Sequence, residues 1–599
     1  MYKHKADFIR LKPEGAKLDI TIEDQSTLSA LQPAHRDAIH KAIARWLVKR
    51  KRALSLPEDP EFHDVFKVAM KGAYTPPTHH TVNRYVLELA AEGKKMIFDI
   101  NNQLRDHGIK PAIAGDIWSD RGVSLFGMCQ YHISEDWTIK EHVLAASPFS
   151  ERHTADAIAQ KTVAACVDAG LSNNLRSSVF FPVSDNAANM VAGWAAFGRG
   201  PCAVHTGQLS VHVFLSHPRI APTRTKQRGI TTHFSQRTGV DGLGALHLCQ
   251  RKSNLPEHHP VKDNDTRWSS GHDQMEWFRV QQRSVQLYDI DHARQAGDAY
   301  KEHQMGLEDW RINLEGTAVL QPCADWTQHM QGTKSYPTLP LVLPTTYGLI
   351  ERLGPESVLT LDFPGQTPYE LEPKEMHDGV LEARTSMYDN WVERWITKID
   401  PDVKRTYAIA TLLHPCFKTY DFIDGFDLIP QSDKEWALRE LRSEWVTSWK
   451  HRPQPSSADT STATAADAPT DASSAPSASE TMERPTKHRK VSLGGLMGGR
   501  VKKKAAAAQD KPVELDELEQ YLADPEEPEL DVKVLAWWQA KESKWPNLAN
   551  MVKQYFAAPA SSAGVERVFS AAGKMHGDLS KSAKDDTLEH SLFAAFNTD

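Results

Sequence analysis

At 599 residues the chain exceeds what one hydrophobic core supports, so several domains are expected. A content of 40% hydrophobic and 25% charged residues fits a globular protein, and no run of about 18 uncharged apolar residues offers a membrane span. The net charge of −8 does not exclude a nucleic-acid partner, because local patches bind phosphate, whereas six scattered cysteines without a C-x-x-C pair exclude a disulfide framework.

Residues 1–32 are expected to be poorly ordered, and their opening lacks the apolar core of a signal peptide, which points to a reducing, intracellular setting. Residues 33–110 read as a helical N-terminal region, a candidate for DNA binding or dimerisation only through the resemblance given below, with Ile39, Ile43, Trp46 and Leu47 on one face of the first helix. That helix runs into Lys49, Arg50, Lys51 and Arg52. On charge alone this is a solvated helix end; its alternative is a grip on phosphate.

The period then changes. Runs 111–118, 123–133 and 138–146 read as strands, 151–169 as a helix, and 178–185 as a fourth strand that leads into a helix at Asn186 to Asn189. Three strands, a helix, a fourth strand and a helix predict an α/β unit with a mixed sheet over 111–205, the arrangement with which RNase H-like enzymes begin. Residues 206–451 read as an all-α insertion, with helices at 345–353 and 433–449, the latter with Asp433 as a candidate cap. Residues 452–512 are rich in Ser, Thr, Ala, Pro and Asp, a composition that cannot offset the entropy of ordering. They predict a disordered linker, and its clusters Lys487 to Lys490 and Arg500 to Lys504 suggest nuclear import. Order is expected to return over 513–599, with Leu535, Trp537 and Trp538 opening a helix, further apolar residues at 548–556 and a closing helix at 587–596.

Asp116 and Asp185 fall at the ends of the first and fourth strands, which are neighbours in such a sheet. Two carboxylates in one cleft need a cation between them, and oxygen ligands suit Mg²⁺ or Mn²⁺. Spacing alone makes this a weak signal, since a carboxylate after a strand is usually a cap or turn residue.

Several blocks, taken together and in order, carry a resemblance. Gly115-Asp-Ile-Trp-Ser-Asp120, Val183-Ser-Asp-Asn-Ala-Ala-Asn189 and Ser561-Ser-Ala-Gly-Val-Glu-Arg-Val-Phe-Ser570 resemble the three catalytic blocks of hAT transposases. Cys202-Ala-Val-His205, Thr266-Arg-Trp-Ser-Ser270, Tyr336 to Leu343, Leu412 to Lys418, and Trp537-Trp538 with Trp545-Pro546 agree in order. The resemblance implies a DDE metal site of Asp116, Asp185 and Glu566, on an RNase H-like fold interrupted by helices. Asp120 competes for the first position, but the block aligns Asp116.

The resemblance also implies cut-and-paste transposition of double-stranded DNA. Water attacks one strand at the element's end, the freed 3′-hydroxyl leaves a hairpin on the flanking DNA, and the element's own 3′-hydroxyls join the target. Cys202 and His205 look like half a zinc site, but no second half stands at a suitable spacing. By resemblance they lie beside the active site, with His205 on the scissile phosphate, while Trp268, next to Arg267, stacks on a flipped base. Many members start with a BED-type zinc finger, which is not expected here because the first cysteine is Cys129. Lys49 to Arg52 then become candidates for gripping DNA. A homodimer or higher assembly through an apolar surface at 535–556 and the closing helix, a nuclear location and no membrane partner complete the expectation. The alternative is a domesticated, non-cutting DNA-binding regulator.

Overall fold

The computed structural model describes residues 32–120, 123–239, 242–264, 268–332, 334–362, 367–452, 492–497, 515–575 and 585–598. The expected poorly ordered start, most of the linker with both of its basic clusters, and Arg267 lie outside these residues. The side chains of Asp120 and Trp268 also lie outside the description. The chain divides into two compact units, one of residues 1–93 with 571–599 and one of residues 94–570.

The first unit is helical. Helix α1 (Pro33–Lys49) starts with proline at its first position and buries His40, Ile43, Ala44, Leu47 and Val48. This stripe is rotated from the expected face: Ile39 packs only partly, and Trp46 stays 43% exposed, stacked on Phe62. Helix α2 (Pro60–Ala69) and the first part of α3 (His79–Asp106) complete the layer. Ala594 of the closing helix, α19 (Asp585–Asn597), joins the same core, and Gly93 leaves room for Phe593 and Asn597. The closing helix thus packs on the N-terminal helices.

The second unit is built on a five-stranded sheet in the order β3-β2-β1-β4-β5. Its strands are β1 (Ala112–Asp120), β2 (Val123–Ile133), β3 (Ile139–Pro148), β4 (Phe180–Ser184) and β5 (Gly200–Pro201). The first three pair antiparallel, while β4 runs parallel to both β1 and β5. This is the expected mixed α/β architecture. Helix α4 (Ala155–Asp168) connects β3 to β4 and α5 (Ala188–Trp194) falls between β4 and β5, and Trp194 donates to Thr162 at 2.8 Å.

From α6 (Ala203–Leu215) onward the chain is mainly helical: α7 (Ala221–Gln236), α8 (Leu243–Lys252), α9 (Trp268–Ala296), α10 (Leu307–Met330), α11 (Val342–Leu353), α12 (Asp378–Val392), α13 (Pro401–Leu412) and α14 (Ser432–Glu444). It is not wholly α, because Leu359–Leu361 and Tyr369–Leu371 form an antiparallel hairpin. Asp433 is not the cap of α14. That position is Gln431, and Asp433 sits in the first turn, paired with Lys404 at 2.5 Å. Within the expected linker, the turn Leu493–Leu496 is anchored, with Leu496 and Met497 buried over Gly348 of α11, where a Cβ would lie 2.7 Å from the Leu496 carbonyl. Helices α15 (Glu517–Ala523), α16 (Val534–Lys541), α17 (Pro546–Ala557) and α18 (Ala563–Met575) then lead back to the sheet.

Candidate active site

The first two aspartates are placed by strand pairing. The parallel register of β1 and β4 closes at Gly115↔Ser184, so Asp116 and Asp185 each follow the last paired residue. Asp116 is therefore not at the end of β1, as expected, but in its middle; what ends there is the β4 partnership, while antiparallel pairing with β2 continues to Asp120. Between Ala112 and Ala114 on one side and Phe180 and Val183 on the other, β4 carries an extra residue, with Phe181 at φ 44. A bulge of this kind re-aims the residues beyond it.

Alternation along β1 decides what each side chain faces. A Cβ on Gly115 would lie 2.6 Å from the Trp194 ring, so that face belongs to α5. Asp116 takes the opposite face, shared with its cross-strand partner Gly127. There a Cβ on Gly127 would lie 2.6 Å from both Val565 and Phe569 of α18. The glycine opposite Asp116 lets the helix bearing Glu566 approach the sheet. Glu566 stands in the first turn of that helix, where a negative charge suits the dipole.

The start of α18 is tied down from several sides. Ser562 N–H donates to Cys202 Sγ at 3.4 Å across a separation of 360 positions, and Ala203 N–H donates to the Ala560 carbonyl at 2.8 Å. Ala560 N–H donates to Thr338 Oγ1 at 2.9 Å, and Ser561 Oγ to the Met330 carbonyl at 3.0 Å. Next to Glu566, Arg567 pairs at 2.6 Å with Glu141 of β3, whose side chain is only 1% exposed and also meets Lys334 at 2.9 Å. On the sheet side, Arg199 donates to Ser184 Oγ at 2.7 Å and Asn186 Oδ1 at 2.8 Å, and also to the Asp185 carbonyl. Asp185 Oδ1 accepts from Ala187 N–H at 3.3 Å.

Asp116 and Asp185 are half-buried and Glu566 is exposed. Burial first, then the charge of Asp185, pushes the Asp116 carboxyl up to about 7, with Glu566 acting in the same direction and His205 against it. Burial opposes a charge on His205, but Cys202, Asp116 and Glu566 outweigh it and hold the imidazole well above its usual range. Asp116 thus lies within electrostatic reach of Asp185, His205 and Glu566. One ligand atom from each of the three carboxylates does not come within 4.8 Å of the other two.

Of the other predicted residues, Lys49, Arg50, Lys51 and Arg52 belong to the helical unit. They form the end of α1: Arg52 N–H donates to Leu47 O at 2.9 Å, Lys51 N–H to Val48 O at 3.1 Å, and Lys51 takes φ 54. This is a Schellman cap, with lysine where glycine is usual, and it leaves Lys49, Arg50 and Arg52 exposed.

The sequence reading missed Glu141, Lys334 and Arg199, isolated charges whose partners are remote in the chain. It also gave no role to Leu412–Lys418. In the structure this segment docks the C-terminal region: Tyr521 Oη donates to the Leu412 carbonyl at 2.9 Å, Trp538 Nε1 to Leu413 O at 3.1 Å, and Lys418 Nζ to the carbonyls of Asp524 and Glu526. Trp538, Trp545 and Leu548 are fully buried and Trp537 nearly so. The stretch 535–556 therefore does not present the expected apolar pairing surface, because its aromatic rings are used inside the chain.

Residues 517–598 match the family model described as the hAT family C-terminal dimerisation region. A match of that kind supports self-association. A curated protein of Talaromyces stipitatus, described as a candidate transcriptional regulator, tpeD, is 20% identical over 591 residues, covering 91% of this chain and 60% of that protein. The chain therefore spans about 60% of the length of the relative it matches. Among the described residues, no helix is long and apolar enough to cross a membrane.

Proposed function

We propose that the chain is a transposase of the hAT kind, which cuts and joins double-stranded DNA through Asp116, Asp185 and Glu566. The observation that carries this reading is geometric: the register of β1 and β4 ends beside Asp116 and Asp185, and Gly127 opposite Asp116 admits the helix that bears Glu566. The donor set fits a hard divalent ion, since all three residues offer oxygen and one of them faces solvent. Mg²⁺ or Mn²⁺ held there would supply nucleophile activation and charge stabilisation for in-line displacement at phosphorus.

The chain's own groups then have distinct tasks. Arg199 holds the Asp185 loop, and the Glu141 pair with Arg567 holds the first turn of α18. His205, whose imidazole Cys202, Asp116 and Glu566 hold above its usual range, is assigned to donate to a phosphate oxygen. Trp268 and Arg267 are assigned to the DNA beside the cut, and Lys49 to Arg52 to its backbone. The proposal includes a homodimer or higher assembly and a nuclear location.

The regulator-like relative favours a second reading, a chain that binds DNA without cutting it. The test uses duplexes carrying the inverted repeats that flank the gene, with Mg²⁺ or Mn²⁺. Nicking by the wild type and its loss in Glu566→Gln, with gel-shift affinity retained in both, supports the transposase. Binding without nicking by the wild type selects the regulator.

A further inference from the structure

Away from the carboxylate cluster, α8 and the far end of α9 bring together Cys249, Asp291 and His292. One ligand atom from each lies within 4.8 Å of the other two, a convergence that among the described residues distinguishes this group. Cys249 is buried on the core of Ile230, Phe234, Phe278 and Tyr288, His292 is half-buried and Asp291 is exposed. The site is thus apolar beneath and open to solvent at its carboxylate.

Packing already orients the ligands. The His292 ring stacks on Tyr288 one turn earlier, with centroids 5.3 Å apart and planes at 28°. Lys252, on the same helix as Cys249, holds Asp291 Oδ2 at 3.2 Å, and a carboxylate can share its other oxygen with an ion.

We infer that Cys249, Asp291 and His292 form a transition-metal site that takes a thiolate-tolerant divalent ion such as Zn²⁺, with solvent completing its coordination. Sulfur, imidazole nitrogen and one carboxylate oxygen are the donors zinc accepts, and they differ in kind from the oxygen set of the carboxylate cluster. With bonds of about 2.0–2.3 Å, tetrahedral donors stand roughly 3.3–3.7 Å apart, so side-chain rotations of about an ångström close the site. Binding forms a bond to the Cys249 sulfur and releases the thiol proton to solvent, with no change of oxidation state.

The site would staple the end of α8 to α9 where the intervening loop departs. That loop returns along α9 with its carbonyls held by glutamines: Gln250 to His258 O at 2.9 Å, Gln281 to Pro256 O at 3.1 Å and Gln274 to Val261 O at 3.0 Å. Its far end carries the Thr266-Arg-Trp block.

The test titrates the 599-residue chain, stripped by chelator, with Co²⁺. The site predicts a near-ultraviolet thiolate-to-cobalt charge-transfer band that saturates at one ion per chain and is displaced by Zn²⁺. Cys249→Ser should abolish the band. Asp291→Asn, at an exposed position, and His292→Gln, at a half-buried one, should weaken binding at least tenfold. Absence of the band in the wild type overturns the inference, as does a band that survives Cys249→Ser or vanishes only with Cys202→Ser. A band whose titration is unchanged in both Asp291→Asn and His292→Gln also overturns it, and this holds even if Cys249→Ser fails to fold.

Discussion

The carboxylate cluster around Asp116 and the docking strip from Leu412 to Lys418 both gather distant segments of the larger unit. The strip meets its partner with complementary groups: the indole of Trp538 and the hydroxyl of Tyr521 meet carbonyls, and the Lys418 ammonium meets two more. The cluster brings together Asp116, Asp185 and Glu566, and burial, reinforced by the charge of Asp185, makes Asp116 hold its proton up to about 7. Complementary, paired contacts consolidate a fold, whereas like charges that face one another cost stability and are tolerated where chemistry uses them. The difference separates the parts of the molecule that hold it together from the part proposed to act.

The largest effect should come from removing one charge from the cluster. Glu566→Gln keeps size and hydrogen bonding, and because Glu566 is exposed the fold should be unchanged. Metal-dependent strand cleavage should fall by about three orders of magnitude or more, while gel-shift affinity, which rests on Lys and Arg contacts to phosphate, should stay within about twofold. A variant that cleaves like the wild type would remove Glu566 from the site and end the contrast.

The complementary change at the strip should act on stability alone. Trp538 is fully buried, packs against Tyr521, Trp537 and Trp545, and donates to the Leu413 carbonyl. Trp538→Ala should lower unfolding free energy by about 3–5 kcal/mol in urea titrations, from lost burial and a carbonyl left without its donor. A loss below about 1 kcal/mol would mean that the strip is not what holds the C-terminal region.

How much of this was legible in the sequence follows from the range of each signal. The strands and the α4 helix announce themselves through local periodicity, and the order of blocks picked out Asp116, Asp185 and Glu566. Periodicity did not place Asp116 within β1, because where a parallel partner stops depends on the bulge in β4. Trp46 was misassigned to the core face because its indole rests on Phe62, a contact that helical spacing does not encode. Glu141 and Arg567 stand 426 positions apart, so nothing local marks either as half of a pair. The aromatic stretch is expected as a partner surface because the resemblance implies one there, and a resemblance does not say which rings are used inside the chain.

The smallest and most discriminating effects are in the pH dependence, where cluster and strip should have opposite signs. The Asp116 carboxyl rises from its ordinary 3.8 to about 7, so between these values the folded chain keeps a proton that the unfolded chain has released. Its contribution is therefore present at low pH and lost as pH rises towards 7. His414 behaves in reverse. Burial lowers its imidazole from 6.5 to about 3, and the neutral ring accepts the Cys416 N–H at 3.3 Å, so the unfolded chain takes up a proton first and stability is lost as pH falls below 6.5. Each pH unit of mismatch is worth about 1.4 kcal/mol at most. With chelator present, Asp116→Asn should gain about 1–3 kcal/mol on the wild type at pH 8 and little at pH 4. His414→Asn, which keeps a capping acceptor, should reduce the wild type's loss between pH 7 and pH 5 by about 2 kcal/mol. The sign of each slope matters more than its size. If Asp116→Asn leaves the alkaline slope unchanged, neither burial nor neighbouring charge opposes ionisation of Asp116 in the folded chain, and the contrast between cluster and strip fails.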